Sequence, residues 1–255
     1  MLGFKRKKEI NPERVSWHIP GGEVQKLSLA VLGAEHCLIA GTTGCGKSTL
    51  LHGIMGDLLK INAPSDARLV LIDPKRVELS RYKGLPHCKS YTQTPEGAVA
   101  VLREVEAEMM SRYASMERQG ADKFCGGKIY VVIDELAPLM ISTKAAKIRR
   151  LLQNVLQLGR AAGVHVIACT QAPNRKIIPA ELVLNFSMRI GMRCLSPIES
   201  RQIIGAKGCE VLPRYGKALV AYYSEMRTAS IPNTDRAEVA ELVDYWQSGI
   251  SRRTA

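Results

Sequence analysis

The stretch Gly41-Thr-Thr-Gly-Cys-Gly-Lys-Ser48 constrains this chain more than any other, because it fits the phosphate-loop pattern G-x-x-x-x-G-K-[ST] at every fixed position. Gly41 and Gly46 let the backbone curl, so that the N–H groups of Thr42, Thr43, Gly44, Cys45 and Gly46 turn toward a nucleotide's phosphates. Lys47 supplies an ammonium group for the β- and γ-phosphates. The Ser48 hydroxyl can ligate Mg²⁺, and Thr49 follows on the same turn. Such a loop needs a strand to enter it and a helix to leave it. Cys37-Leu-Ile-Ala40 reads as a short buried strand, and Ser48 to Met55 reads as a helix whose positive N-terminus would carry the phosphates. The expected cofactors are ATP and Mg²⁺.

Further apolar runs alternate with helical patterns, which predicts a three-layer α/β domain around a mainly parallel central sheet. Leu69 to Asp73, Ile129 to Ile133 and Val164 to Cys169 read as strands, with Ser187 to Arg193 and Lys217 to Tyr223 as later ones. Thr94 and Pro95 open a long helix with Ala98, Leu102, Val105, Met109, Tyr113 and Met116 on one face. A second helix is predicted from Ala145 to Ala162, capped at Gly163, and a closing helix from Thr234 to Gln247. The organisation expected is a basic tail at 1–14, a nucleotide-binding domain at 15–230, and a C-terminal helix with a basic tail at 231–255. No run approaches the roughly 18–20 apolar residues of a membrane span, and the N-terminus lacks a secretory h-region, so a soluble cytoplasmic protein is expected. The seven cysteines are scattered without a C-x-x-C pair, which argues against disulfides and zinc. His165, inside an apolar strand, reads as a core histidine.

The chemistry beyond phosphate binding sits at strand ends. Ile129-Tyr-Val-Val-Ile-Asp-Glu135 reads as a Walker B strand, with Asp134 as the second Mg²⁺ residue. Glu135 is placed to polarise the water that attacks the γ-phosphate, or it is a solvated strand end. Gln171, after the next strand, can orient that water or sense the γ-phosphate, or simply cap a loop. A thiol at Cys45, among inward-pointing N–H groups beside Lys47, is expected to be reactive if solvent reaches it. Alkylation there would inactivate the protein, and ATP would protect it.

The formal net charge is +12, and its placement is informative. Between Glu135 and Glu181 there is no acidic residue, while Lys144, Lys147, Arg149, Arg150, Arg160, Arg175 and Lys176 all fall there. A solvated helix usually mixes signs, so this stretch reads as a surface for a polyanion, or as basic decoration of a basic chain.

Taken with Leu71-Ile-Asp-Pro-Lys-Arg-Val-Glu-Leu79, Tyr82-Lys-Gly-Leu-Pro-His87, Val132-Ile-Asp-Glu-Leu-Ala137, Gly159-Arg-Ala-Ala-Gly-Val-His165, Cys169-Thr-Gln-Ala-Pro173 and Glu199-Ser-Arg201, the motifs resemble the motor domain of FtsK/SpoIIIE-type DNA translocases, in the wider FtsK–HerA group. The resemblance covers roughly residues 15 to 226. It implies a RecA-like ATPase that assembles as a ring, a hexamer, and pumps double-stranded DNA for transfer or segregation, as in a plasmid, conjugative element or phage. The alternatives are a viral genome-packaging ATPase of the same group, an AAA+-like protein-remodelling ATPase, and a DNA-binding module with a relic loop. The resemblance makes Arg160 the first candidate for an arginine finger reaching a neighbour's ATP, against an arginine that merely favours a helix dipole. Arg201 is a second candidate, for a nucleotide-proximal or intersubunit role. Lys144, Lys147, Arg149, Arg150, Arg175 and Lys176, on the segments that follow the strands carrying Asp134 and Gln171, are the expected DNA contacts. Cys45, Pro138 and Ala172 depart from the family pattern, where serine, aspartate and arginine stand. Neither the family's membrane anchor nor its sequence-reading winged helix is expected from these residues.

Overall fold

A computed structural model describes residues 27–251, except 34, 172, 173, 176, 232 and 233. In chain order the elements are α1 (Leu27–Gly33), β1 (His36–Ala40), α2 (Lys47–Ile61), β2 (Ala67–Ile72), β3 (Cys88–Thr92), α3 (Pro95–Gln119), β4 (Lys128–Ile133), α4 (Ala137–Met140), α5 (Ala145–Leu158), β5 (Val164–Thr170), α6 (Ala180–Leu184), β6 (Met188–Gly191), α7 (Pro197–Ile204), β7 (Lys217–Tyr222), β8 (Glu225–Ser230) and α8 (Arg236–Ser251). The stretch expected to be a basic tail, 1–14, and the expected DNA contact Lys176 lie outside the described residues, as does Ala172.

The strands pair into one sheet of order β3-β2-β4-β5-β1-β6-β7-β8. From β3 to β6 they run parallel, and β7 and β8 close the far edge antiparallel. The pleat sends alternate side chains to opposite faces. Leu38, Val131, Ile133, Val166 and Ala168 pack with α3, α4 and α5, while Ile39, Tyr130, Val132, Ile167 and Cys169 pack with α1, α2 and α8. Helices therefore cover both faces, which gives the three layers expected. It also explains why these strands read as unbroken apolar runs rather than alternating ones. His165 is satisfied within β5: its Nδ1 lies 3.1 Å from the Glu35 carbonyl and its ring stacks on Tyr130 at 5.1 Å.

The long helix α3 begins as expected, with Thr94 Oγ1 accepting a hydrogen bond from Gly97 N at 3.1 Å and Pro95 in the first turn. Helix α5 does not reach Ala162. It ends at Leu158 because the chain turns at Gly159 to enter β5. A Cβ on Gly159 would lie 2.5 Å from the Val155 carbonyl and 2.8 Å from that of Val164. Gly163 has its left-handed φ of +67° in this turn rather than at a helix cap. Pro138 sits in the first turn of α4, where a missing N–H costs nothing. Helix α8 begins two residues later than expected and lies along α2. Val239 and Val243 join the main core, and Trp246 Nε1 donates to the Leu59 carbonyl at 3.1 Å.

The strand order sets the geometry of everything that follows. Because β5 lies between β1 and β4, the C-terminal ends of β1, β5, β4 and β2 stand in a row, about 4.8 Å apart. The P-loop, Gln171, Asp134 and Asp73 each begin where one of these strands stops. Among the described residues no helix is long and apolar enough to cross a membrane.

Candidate active site

The loop leaving β1 is fixed at both sides of its origin. Gly41 N donates to the Thr170 carbonyl at the end of β5, and Thr42 N donates to the Arg193 carbonyl after β6, at 3.3 and 2.8 Å. A side chain at Gly41 would meet Met192 Cβ at 2.8 Å and Cys45 Sγ at 2.9 Å, so only glycine fits. Gly46, with φ +104°, precedes α2 in a conformation other residues rarely adopt. Lys47 is buried, and its Nζ donates to the Gly41 and Thr42 carbonyls at 2.7 Å each. Thr43 Oγ1 donates to Gln171 Oε1 at 2.8 Å, which brings the β5 glutamine onto the loop. Gly41 N and Thr42 N are thus spent on neighbouring strands, and the residues from Thr43 to Thr49 lead into the N-terminus of α2, where unpaired backbone donors gather.

The acidic side of the site comes from three strand ends. Asp134 is 8% exposed, and its Oδ2 has no hydrogen-bond partner among the described residues. Burial, then the neighbouring Asp73 carboxylate, pushes its carboxyl up to about 6, against the opposing charge of Lys75. A carboxylate held unpartnered in this way is suited to a divalent cation. Ser48 lies beside this carboxyl cluster, where its hydroxyl bonds to Glu78. Ser48 and Asp134 therefore fit Mg²⁺.

Sequence reasoning missed the layer that holds these groups. Asp73 is fully buried and accepts Val77 N at 3.4 Å and Leu79 N at 3.0 Å, folding the segment after β2 around itself. That fold carries Glu78 to Ser48 and to His52, whose Nε2 lies 2.8 Å away, while His52 Nδ1 meets Tyr82 OH at 2.7 Å. Burial alone would raise the Glu78 carboxyl, but hydrogen bonds with Ser48 and His52 outweigh it and hold the group below its ordinary value. The available signal was a polar residue, His52, within the apolar run Leu50-Leu51-His52-Gly53-Ile54.

Glu135 is not a solvated strand end. It is 2% exposed, and its carboxylate accepts Gln171 N at 3.0 and 3.1 Å. Lys75 Nζ approaches the same carboxylate at 3.0 Å. Lys75, Glu135 and Gln171 thus form one network across the ends of β2, β4 and β5.

The remaining expected residues fall elsewhere. Arg160 lies two residues past the end of α5. It therefore belongs to the turn rather than to the last helical turn, and its Nε donates to Glu35 Oε1 at 2.5 Å. Both precede their strands, so the pair sits at the edge opposite the P-loop, roughly 20 Å away along β5. The Arg160 side chain is 60% exposed. Lys144, Arg149, Arg150 and Arg175 are exposed and Lys147 half-buried. Arg149 and Arg150 also line a cleft between α5 and α6 with Gln153, Pro179 and Leu182.

Cys45 differs from expectation. It is 1% exposed, with its Sγ 3.6 Å from Met192 Sδ and 3.8 Å from Lys47 Nζ, so its thiol points under the loop and away from solvent. On brief treatment of the folded protein with iodoacetamide, peptide mass spectrometry should find the exposed Cys125 modified and Cys45 intact. Modification of Cys45 at the rate of Cys125 would contradict the buried placement.

A sequence model of the FtsK/SpoIIIE family matches residues 4–128. The protein named DNA translocase FtsK from Rickettsia prowazekii (strain Madrid E) is 32% identical over 254 aligned residues, covering 82% of this chain and 34% of that protein. The chain thus spans about a third of the length of this curated relative. Among solved structures, the pCW3 conjugation coupling protein TcpA, in its monomer form with ATPγS, superposes with a TM-score of 0.73 at 22% identity, covering 83% of this chain and 65% of that one. The cytoplasmic domain of the type VII secretion ATPase EccC from Thermomonospora curvata gives 0.67 at 22% identity, covering 83% of this chain and 28% of that one. At such identities these two structures speak to the fold alone. The loop, the Asp-Pro-Lys segment after β2 and the sequence match agree: this chain belongs to the FtsK/SpoIIIE family.

Proposed function

We propose that the chain is an ATP-hydrolysing motor that moves double-stranded DNA and works in the cytoplasm as a ring, a hexamer. One observation carries the reading. The P-loop, Asp134, Glu135 and Gln171 converge at one edge of the sheet, so phosphate binding, water activation and γ-phosphate sensing lie on neighbouring strands. Bound at Ser48 and Asp134, Mg²⁺ would offset negative charge on the phosphates. Glu135 polarises the attacking water, and Gln171, bonded to both Thr43 and Glu135, links loop and glutamate. Arg160 is the proposed finger for the neighbouring subunit's ATP. It is exposed, and it lies too far from its own loop to serve there.

The DNA reading is supported by the curated relative's name and by the exposed basic residues on the segments after β4 and β5. Such contacts are made with phosphates and do not depend on base sequence. A plasmid, a conjugative element or a phage is the proposed source of the load. The test combines DNA-stimulated ATPase with displacement of a third strand from duplex DNA. Turnover should rise with duplex DNA, and the third strand should leave only when ATP is hydrolysed. DNA affinity should fall with salt with a log–log slope of about −5, if each of the six basic side chains neutralises one phosphate. A salt-insensitive affinity, or turnover stimulated by protein and not by DNA, would sink the assignment.

A further inference from the structure

Every hydrolytic group reaches the P-loop from one side. Gln171, Glu135, Asp134 and Lys75 follow β5, β4 and β2, which lie to one side of β1, whereas β6, β7 and β8 lie to the other. A nucleotide whose γ-phosphate faces Glu135 therefore extends its α-phosphate and nucleoside toward the β6–β8 side.

A second rim waits there. The Arg193 carbonyl accepts both Thr42 N and Thr42 Oγ1, at 2.8 and 3.1 Å. The Arg193 guanidinium donates to the Leu212 carbonyl at 2.7 Å. The segment leading to Arg214 is thus tied to the loop through Arg193. Arg214 lies over the crown of the loop: its Nη2 is 3.2 Å from the place a Cβ would take on Gly44. Its guanidinium sits 5.3 Å above the Tyr215 ring, and Tyr215 is exposed. Ile231 completes the rim, 4.0 Å from the Cβ position of Gly46.

Charge singles out Arg214 in this group. Among the described residues no carboxylate pairs with it, so its donors are not committed to a counter-charge. It stands instead over a glycine-rich loop whose own N–H groups gather positive potential for an anion. A planar guanidinium backed by an aromatic ring suits phosphate oxygens, with its donors held in a fixed fork.

We propose that Arg214 is a nucleotide-binding residue of its own subunit, taking the α- and β-phosphate oxygens that ATP and ADP share, with the nucleoside lying over Tyr215 and Ile231. This rests on the nucleotide-binding reading above and extends it to the half of the site opposite Glu135. Arg214 lies too close to its own Gly44 to serve as the neighbour's finger.

The test is equilibrium binding of N-methylanthraniloyl-labelled ATP and ADP, with Mg²⁺, to the full chain and to its Arg214→Ala, Arg214→Lys and Lys47→Ala variants. Arg214→Ala should weaken ATP and ADP by the same factor, about 10- to 100-fold, as expected for the loss of a charged hydrogen bond. Arg214→Lys should recover part of it, since lysine restores the charge without the fork. Thermal melting should be unchanged, because the side chain is exposed. Unchanged affinity in Arg214→Ala, while Lys47→Ala loses binding, would overturn the role of Arg214 and leave the nucleotide reading standing. A loss confined to ATP would overturn the placement at the shared phosphates. Lower turnover with intact affinity would overturn the proposal in favour of a trans role. Wild-type protein that binds neither nucleotide, or binds both independently of Lys47, would remove the nucleotide reading itself.

Discussion

Replacing Glu135 with glutamine is expected to lower ATP turnover by about 10²- to 10⁴-fold, the usual contribution of a positioned general base, while leaving ATP binding near its wild-type level. The asymmetry follows from the geometry. Glutamine has the same shape, so its carbonyl can still accept Gln171 N, which now lies 3.0 Å from the carboxylate. What it loses is basicity and the charge that draws Lys75 Nζ to 3.0 Å. Asp134 and Ser48, the residues suited to Mg²⁺, are untouched, so nucleotide affinity should persist. Single-turnover hydrolysis measured beside equilibrium ATP binding separates the two effects. A loss of only a few-fold would mean that another group activates the water.

Arg160→Ala is expected to cost more, about 10³- to 10⁵-fold in turnover, the range for a finger supplied in trans. Mixing in a Lys47→Ala subunit, which contributes its own Arg160 but cannot bind ATP productively, should restore part of the activity. The usual objection to such a variant is collapse of the fold, and here it has little force. The Arg160–Glu35 pair has an arginine side chain 60% exposed, and ion pairs so open to solvent are worth about 0–1 kcal/mol. Glu35→Gln, which breaks the pair and keeps the arginine, is the matching control and should retain most of the turnover. A few-fold loss in Arg160→Ala, or equal losses in both variants, would assign the residue to the local structure around Glu35 and Tyr223, whose hydroxyl also donates to Glu35 at 2.7 Å.

The parts of this chain legible in its sequence are those where local chemistry and global fold agree. β1, β4 and β5 are buried on both faces, so each is a plain apolar run, and α3 carries its own cap at Thr94. The edges were not legible. β3 is Cys-Lys-Ser-Tyr-Thr and β8 is Glu-Met-Arg-Thr-Ala-Ser, both half-open to solvent, and their pairing comes from neighbours rather than from side-chain pattern. The site shows the same division. Residues proposed to meet phosphate or metal obey spacing rules, so Lys47, Ser48, Asp134 and Glu135 stood out. Residues that hold them act through contacts between segments distant in sequence. Lys75 meets Glu135 sixty positions on, and no period or motif records such a meeting. Cys45 failed for a related reason: the sequence places it in the loop but cannot say that Met192 covers its thiol.

The packing of α8 has a practical consequence for anyone trimming this protein. The sequence suggests stopping the motor near residue 230, yet Thr234 Oγ1 donates to the Thr49 carbonyl at 2.8 Å, one residue beyond Ser48. Val239, Val243 and Trp246 then cover the flank of the helix that begins at Lys47. A fragment ending at Ser230 would leave the nucleotide helix with an open apolar side, in a place that sequence distance gives no reason to suspect. The shortest piece that keeps that helix covered reaches at least Trp246.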